Sequence, residues 1–259
     1  MNVLAFDIET IPDIEGGRRI YDLDGLNDED TARAIIAARR KPGNTSEFLS
    51  HHLQRVVAIS VALRSRDSFK VWTLGDIESS EEGIITRFFE GIERYTPTLV
   101  SWNGGGFDLP VLHYRSLIYG VVAPRYWDTG EDDRDFKWNN YLNRFHWRHT
   151  DLMDVLSGYQ IRAAAKLDEV AMLLNLPGKQ GMSGGAVWDA YLDGKLEDIR
   201  NYCESDVLNT YLVYLRWQLS RGSLSHDVWK SECEVVRNHL KESDKPHLEH
   251  FLEHWPESD

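Results

Sequence analysis

The chain has 259 residues, 42% hydrophobic and 11% aromatic, which is enough for one large domain or a domain with a small appendage. Its net charge of -13 argues against a nucleic-acid partner, because such partners are normally held by a basic surface. No apolar run is long enough to span a bilayer, acidic residues begin at Asp7, and the two cysteines show no paired spacing. We therefore expect a cytoplasmic protein without membrane contact, disulfide framework or cysteine zinc site.

Strand-like and helical patterns alternate along the chain. The predicted strands are the runs Val3–Ile8, Arg55–Leu63, Phe69–Leu74, Pro97–Trp102 and His149–Asp151. The predicted helices are Asp28–Arg40, Ser80–Tyr95, Leu109–Tyr119, Lys166–Leu174, Leu196–Leu219, Asp227–Glu242 and Pro246–His254. This order predicts an α/β fold in which helices flank a mixed sheet.

Two acidic residues stand at the end of the first predicted strand. Asp7 and Glu9 are two positions apart, so both side chains project from the same face of the strand. A like-charged pair beside the apolar run Val3–Phe6 is costly unless something neutralises it, and a divalent cation usually does so. The pair is therefore predicted to bind metal.

Two later segments carry acidic residues that make sense together with this pair. Asn103 ends the fourth predicted strand, and Asp108 follows the glycines 104–106 at the start of a helix. Tyr202 and Asp206 are four apart on a helix and so share one face. Carboxylates that converge on one point are typical of a magnesium-dependent phosphoryl-transfer centre. The simpler alternatives are a helix N-cap role for Asp108 and a surface pair for Tyr202 and Asp206.

Other polar residues near these segments receive simpler interpretations. His146 and His149 have a spacing that suits a metal, but without soft ligands nearby we expect packed or hydrogen-bonded histidines. Asp151 and Asp154, beside the fifth strand, are interpreted as helix caps or as supports for the metal ligands.

The long connection from Val121 to Arg148 mixes aromatic with basic residues. Such a mixture stacks the bases and tracks the phosphates of a single strand. We therefore expect substrate phosphate to contact at least one of Arg125, Arg134, Lys137 and Arg144. The alternative is that the aromatic residues Trp138, Tyr141 and Trp147 simply pack in the core.

Together these motifs resemble those of a known superfamily. Asp-x-Glu at Asp7, Asn-x3-Phe-Asp ending at Asp108, and Tyr-x3-Asp ending at Asp206 resemble the three motifs of DEDD 3′–5′ exonucleases. Tyr202 matches the DEDDy branch, and Asn201 stands where the sister branch carries a histidine. The resemblance covers about residues 1–220 and is to a stand-alone bacterial family related to the proofreading domain of family-B DNA polymerases.

The resemblance implies a fold, a metal site and an activity. The fold is expected to be RNase H-like (DnaQ-like), with a five-stranded mixed sheet flanked by helices. The metal site implied is two divalent ions, Mg²⁺ or Mn²⁺, bound by Asp7, Glu9, Asp108 and Asp206. Tyr202 is implied to position the water that attacks phosphorus. The implied activity is hydrolysis of single-stranded nucleic acid, DNA favoured, from a free 3′ end to nucleoside 5′-monophosphates.

Five further residues are predicted to contact the substrate, and the chain is predicted to divide into two parts. The predicted substrate-binding residues are Thr10, Asn103, Phe107, Arg144 and Lys179. An RNase D-like exoribonuclease, an RNase H-like endonuclease and a non-catalytic nucleic-acid-binding module remain as alternatives. We expect an exonuclease domain at residues 1–222 and a helical extension at 223–259, without a polymerase domain. The extension either packs back on the domain or mediates self-association, and the sequence leaves both open.

Overall fold

Five strands form one mixed sheet. The computed structural model describes residues 2–38, 49–178 and 181–256. The strands are β1 (Val3–Pro12), β2 (Gln54–Arg64), β3 (Phe69–Thr73), β4 (Thr98–Ser101) and β5 (His149–Asp151). Their order across the sheet is β3-β2-β1-β4-β5, with β2 antiparallel to β1 and β3, and with β1, β4 and β5 parallel. The predicted five-stranded mixed sheet is confirmed.

Helices flank this sheet. They are α1 (Ile14–Tyr21), α2 (Asp28–Ala38), α3 (Glu81–Tyr95), α4 (Asp108–Tyr119), α5 (Pro124–Trp127), α6 (Leu152–Leu156), α7 (Leu167–Leu173), α8 (Val187–Leu192), α9 (Leu196–Ser220), α10 (His226–Lys241) and α11 (Pro246–Glu253). The predicted helix at Asp28 is present as α2, and its predicted last two residues lie outside the described residues. Within the described ranges, no helix combines the length and apolarity needed to cross a bilayer.

The side-chain alternation of β1 separates two hydrophobic clusters. Leu4, Phe6 and Ile8 pack in a cluster that also contains residues of α3 and α4. Val3 and Ala5 pack on the opposite face, in a cluster that contains the buried middle of α9. Because side chains alternate along a strand, the next two residues on the α9 face after Ala5 are the acidic pair. The strand therefore directs that pair toward α9.

A buried ion network joins the end of β1 to α3 and α4. The Arg115 guanidinium donates to Asp13 at 2.5 Å and to both carboxylate oxygens of Glu81 at 2.7 and 2.5 Å. Tyr119 donates to Glu81 at 2.7 Å, and the Val56 N–H donates to the same carboxylate at 2.7 Å. Arg115 and Glu81 are each 3% exposed at the side chain, so each charge depends on its partners for neutralisation.

The last two helices, α10 and α11, pack back against the rest of the chain. Their apolar residues Val236, Leu240 and Phe251 belong to the same cluster as the middle of α9. Lys245, which precedes α11, donates to the buried carboxylate of Glu204 on α9 at 2.8 and 2.9 Å, and His247 contacts it at 2.8 Å. Burial acts to raise the pKa of Glu204, yet these partners hold it below its ordinary value. These helices therefore pack against α9, whereas self-association through them and the domain boundary near residue 222 stay predictions.

Candidate active site

β1 supplies the first acidic pair. It continues to Pro12 rather than ending at the predicted Ile8, because β2 pairs with it throughout and a bulge between Glu9 and Thr10 absorbs the change of register. Asp7 and Glu9 lie just before this bulge, on the face that packs against α9. Glu9 is buried and Asp7 is half-buried. The predicted placement of both carboxylates on one face is therefore confirmed.

The glycine segment after β4 brings Asp108 beside β1. Asn103 adopts a positive φ of 64° and turns the chain out of the strand. A Cβ at Gly104 would lie 2.3 Å from Ser101 Oγ, so this close turn requires glycine. Asp108 then begins α4, and its Oδ1 accepts from the N–H of Ile8 at 3.2 Å. This bond places the carboxylate next to Asp7.

Asp151 holds the glycine segment in place. Its Oδ1 accepts from the N–H of Asn103 and its Oδ2 from the N–H of Gly105, both at 2.9 Å. The same carboxylate caps the N-terminus of α6 through the N–H of Met153 at 3.1 Å. One buried side chain therefore fixes the loop that leads to Asp108. The interpretation of Asp151 as a helix cap is confirmed, and its role as a support for metal ligands stays a prediction.

The helix α9 brings the third motif to the same point. The hydroxyl of Tyr202 is hydrogen-bonded to Asp206, one turn further along the helix, and both residues are buried. Between them, the Cys203 thiol lies 3.4 Å from the carbonyl oxygen of Asp7 and 3.6 Å from its Oδ2. Ligand atoms of Asp7, Glu9 and Cys203 lie within 4.8 Å of one another. The sequence predictions omitted Cys203, although its position next to Tyr202 was a usable signal.

Burial, together with neighbouring negative charges, raises the pKa of two of these carboxylates, Asp7 and Asp108. Loss of hydration, followed by the charges of the other three predicted ligands, raises the pKa of Asp7 well above its ordinary value. Burial raises the pKa of Asp108 to about 7, with a contribution from Asp151, while backbone N–H donors act in the opposite direction. Burial, followed by the charge of Asp206, also raises the pKa of Tyr202, so its phenol stays protonated at neutral pH. Negative charge concentrated in this way favours a bound cation.

The predicted substrate contacts have different surroundings. Thr10 donates to the side chain of Gln54 at 2.9 Å, and Phe107 lies 5.8 Å from the His51 ring. Arg144 forms two bonds of 2.7 Å to Asp154, so its charge is already paired. Asn103 and Arg144 line a cavity of about 340 Å³ beside the glycine segment. Lys179 lies outside the described residues.

The aromatic connection is divided between core and surface. Tyr126 and Tyr141 are buried in the cluster beneath α4, whereas Trp138 is 77% exposed. Trp147 is also exposed, so the core alternative holds for Tyr141 and not for the two tryptophans. Arg125 is ion-paired with Asp133 at 3.1 Å. The exposed part of the segment remains a predicted substrate surface.

Both histidines of the fifth-strand region are hydrogen-bonded, as expected. His149 lies with Nε2 2.8 Å from Ser101 Oγ, and burial lowers its pKa to about 4. His146 accepts the N–H of Asn140 at Nδ1, at 3.0 Å. Their partners give each ring a structural role.

A protein-family comparison agrees with this geometry. The model of a family described as a predicted 3′–5′ exonuclease related to the exonuclease domain of PolB matches residues 46–255. The chain belongs to this family. Exonuclease domains of this type use divalent metals. The matched segment of this exonuclease-family protein contains Asp108, Tyr202 and Asp206, and it begins after Asp7 and Glu9. Asp7 and Glu9 are therefore assigned to the site by the position of β1 in the sheet, and not by the family match.

Part of this exonuclease-family chain is similar in sequence to two DNA polymerases. The catalytic chain of DNA polymerase epsilon from Saccharomyces cerevisiae is 26% identical over 150 residues, which is 54% of this chain and 6% of that protein. A DNA polymerase of Archaeoglobus fulgidus is 25% identical over 158 residues, which is 60% of this chain and 19% of that protein. The chain thus spans less than a fifth of the length of either polymerase.

Proposed function

We propose that the protein is a metal-dependent 3′–5′ exonuclease of the DEDDy type. It hydrolyses single-stranded nucleic acid, preferentially DNA, from a free 3′ end and releases nucleoside 5′-monophosphates. The observation that carries the proposal is that one strand and two helices bring four acidic residues together. Asp7 and Glu9 share the face of β1 that packs on α9, and the Asp108 carboxylate accepts from the N–H of Ile8 at 3.2 Å. Cys203, on the helix that carries Asp206, lies with its thiol 3.4 Å from the carbonyl oxygen of Asp7. A cytoplasmic location is part of the same proposal.

The donor set fits hard divalent cations. Four carboxylates offer oxygen ligands, which Mg²⁺ and Mn²⁺ prefer, and their repulsion is relieved when cations bind. We assign Asp7, Glu9, Asp108 and Asp206 as the residues that hold two such ions. Bound ions would supply Lewis acidity that makes water nucleophilic, and positive charge that stabilises the departing 3′-oxygen.

The protein's own contribution is to orient the reactants. Tyr202 keeps its proton because burial and Asp206 raise the pKa of its phenol. Its hydroxyl is hydrogen-bonded to Asp206, and the nearby charges of Asp7 and Glu9 also raise the pKa of the phenol. We assign Tyr202 to holding the attacking water in line with the terminal phosphodiester. Asp151 supports the site by fixing the loop before Asp108.

Replacing Tyr202 with phenylalanine should lower kcat by about fivefold while leaving the KM nearly unchanged. One oriented hydrogen bond is lost, which is worth about 1 kcal/mol, and the four carboxylates remain. Steady-state release of mononucleotides from an end-labelled oligonucleotide measures the effect. The matched control is Tyr114→Phe, since Tyr114 is 45% exposed on α4. Full activity of Tyr202→Phe would limit this tyrosine to packing.

Substrate topology and sugar test the proposed activity against its alternatives. An exonuclease degrades linear single strands and spares circular ones, whereas an endonuclease cuts both. Matched DNA and RNA oligonucleotides then separate a deoxyribonuclease from an RNase D-like enzyme, because the 2′-hydroxyl distinguishes them. Binding without degradation of any of these substrates would favour the non-catalytic module.

Removal of divalent metal should weaken substrate binding by about tenfold, beyond its effect on turnover. With a net charge of -13 and clustered carboxylates, the metal-free protein repels a phosphodiester chain. Titration of a labelled, non-hydrolysable oligonucleotide with and without chelator, at fixed ionic strength, measures this. Asp7→Asn removes one repelling charge and should bind more tightly than wild type in chelator. Equal wild-type affinity in both conditions would show that basic surface residues provide the binding energy.

A further inference from the structure

Three side chains that suit a transition metal gather at the C-terminal end of α11, away from the carboxylate centre. Ligand atoms of His250, Glu253 and His254 lie within 4.8 Å of one another, and all three residues are exposed. The two imidazole rings have centroids 4.1 Å apart, and His250 Nδ1 lies 3.8 Å from Glu253 Oε2. The donors are therefore already grouped on the folded chain.

Helical spacing accounts for the grouping. Residues three and four apart share one helix face, which places Glu253 and His254 beside His250. The same spacing, His-x2-Glu-His, occurs on the zinc-binding helix of one class of metallopeptidases. The residues also stand at the C-terminal end of the helix, with His254 at the C-cap, where the dipole is negative and favours a cation.

One of the two imidazoles is also oriented for binding. His254 Nδ1 lies 2.9 Å from the carbonyl oxygen of His250. A carbonyl only accepts hydrogen bonds, so Nδ1 carries the proton, and Nε2 of the neutral ring keeps its lone pair. Metal-binding histidines usually donate their other ring N–H to an acceptor of this kind. The hydrogen bond thus fixes the tautomer that a metal requires.

We propose that His250, Glu253 and His254 form a surface site for a divalent transition-metal ion of the zinc class. Two imidazole nitrogens and one carboxylate oxygen are a ligand set that Zn²⁺ accepts, with water in the remaining position. Imidazole ligands favour Zn²⁺, Ni²⁺ and Cu²⁺ over Mg²⁺. The site differs in donor chemistry from the carboxylate centre and is independent of the proposed exonuclease activity. A bound ion would cross-link the last turn of α11.

Calorimetric titration with Zn²⁺ tests the site on full-length protein without a histidine tag. Excess Mg²⁺ occupies the carboxylate centre in all samples. Wild type should bind one more Zn²⁺ than the double variant His250→Ala/His254→Ala, and Glu253→Gln should bind at least about tenfold more weakly than wild type. The controls are His52→Ala, which removes an exposed imidazole elsewhere, and Glu234→Gln, which removes an exposed carboxylate on α10. Equal Zn²⁺ stoichiometry in wild type and the double variant overturns the proposal.

Electron paramagnetic resonance with Cu²⁺ identifies the ligands directly. Nitrogen hyperfine coupling from imidazole should appear in wild type and vanish in the double variant, because the carboxylate centre has no nitrogen donor. Nitrogen coupling that persists in the double variant would assign the ion to other histidines and reject the site. Circular dichroism of the double variant and of Glu253→Gln checks that the substitutions leave the helices folded.

Discussion

Replacing Asp7 with asparagine is expected to lower kcat by at least about a thousandfold, because several kcal/mol of metal-supplied stabilisation are lost with one ligand. Asp7 is the residue on which the other three carboxylates act, so its loss affects the whole proposed centre. The rate of mononucleotide release in Mg²⁺ and in Mn²⁺ measures the change. Near wild-type turnover by the purified variant would reject the proposed site.

The same substitution should stabilise the metal-free protein. The folded-state pKa of Asp7 is raised above its ordinary value, so ionising this group costs stability once the pH exceeds the unfolded pKa. Asparagine cannot ionise, and the variant should therefore melt at a higher temperature than wild type in chelator at neutral pH. Asp132→Asn is the control, because Asp132 is exposed and the chemical change is identical. A destabilised Asp7→Asn would mean that the carboxylate contributes hydrogen bonds that outweigh the repulsion.

Replacing Arg115 with methionine should lower the free energy of unfolding by about 3–5 kcal/mol, because two carboxylates stay buried without their cation. Urea denaturation at neutral pH measures the loss. Arg33→Met is the control, since Arg33 pairs with Asp30 on the exposed side of α2 and such pairs contribute at most about 1 kcal/mol. A loss equal to that of the control would show that water replaces the guanidinium.

The periodicity of apolar residues, together with the glycine and proline positions that end helices and strands, was sufficient to predict much of the fold. All five strands were predicted, but β1 was too short, because the strand continues past its acidic pair through Pro12 with a bulge that no local pattern shows. Helix α1 was missed because Gly16 and Gly17 weaken the helical pattern. Gly17 permits close packing on Ile35, where a Cβ would lie 2.7 Å from a side-chain methyl. Such a tertiary contact is absent from the local sequence.

The predicted acidic centre depended on spacing along each element and on the family resemblance. Alternation along a strand placed Asp7 with Glu9, and a helical turn placed Tyr202 with Asp206. Spacing along one element does not show which residue of another element a side chain pairs with. Arg144 pairs with Asp154 at the start of α6, which spacing did not show, and its predicted substrate contact stays a prediction. Pairing of this kind depends on how loops fold over the sheet, and neither residue type nor spacing encodes it.

The contacts of the Glu204 carboxylate with Lys245 and His247 bear on the order in which the helices pack while the chain is being synthesised. The carboxylate lies on α9 between Tyr202 and Asp206, yet the groups that neutralise it, Lys245 and His247, follow 41 and 43 residues later. A nascent chain that has completed α9 can offer this carboxylate the N–H and hydroxyl of Thr73, but it must bury the charge without a cationic partner from the C-terminal segment or leave the helix undocked. We expect α9 to settle on the sheet only after α11 has left the ribosome. Tyr202 and Asp206 then join the acidic residues of β1 only once the last helix is in place, so the acidic centre assembles late in folding.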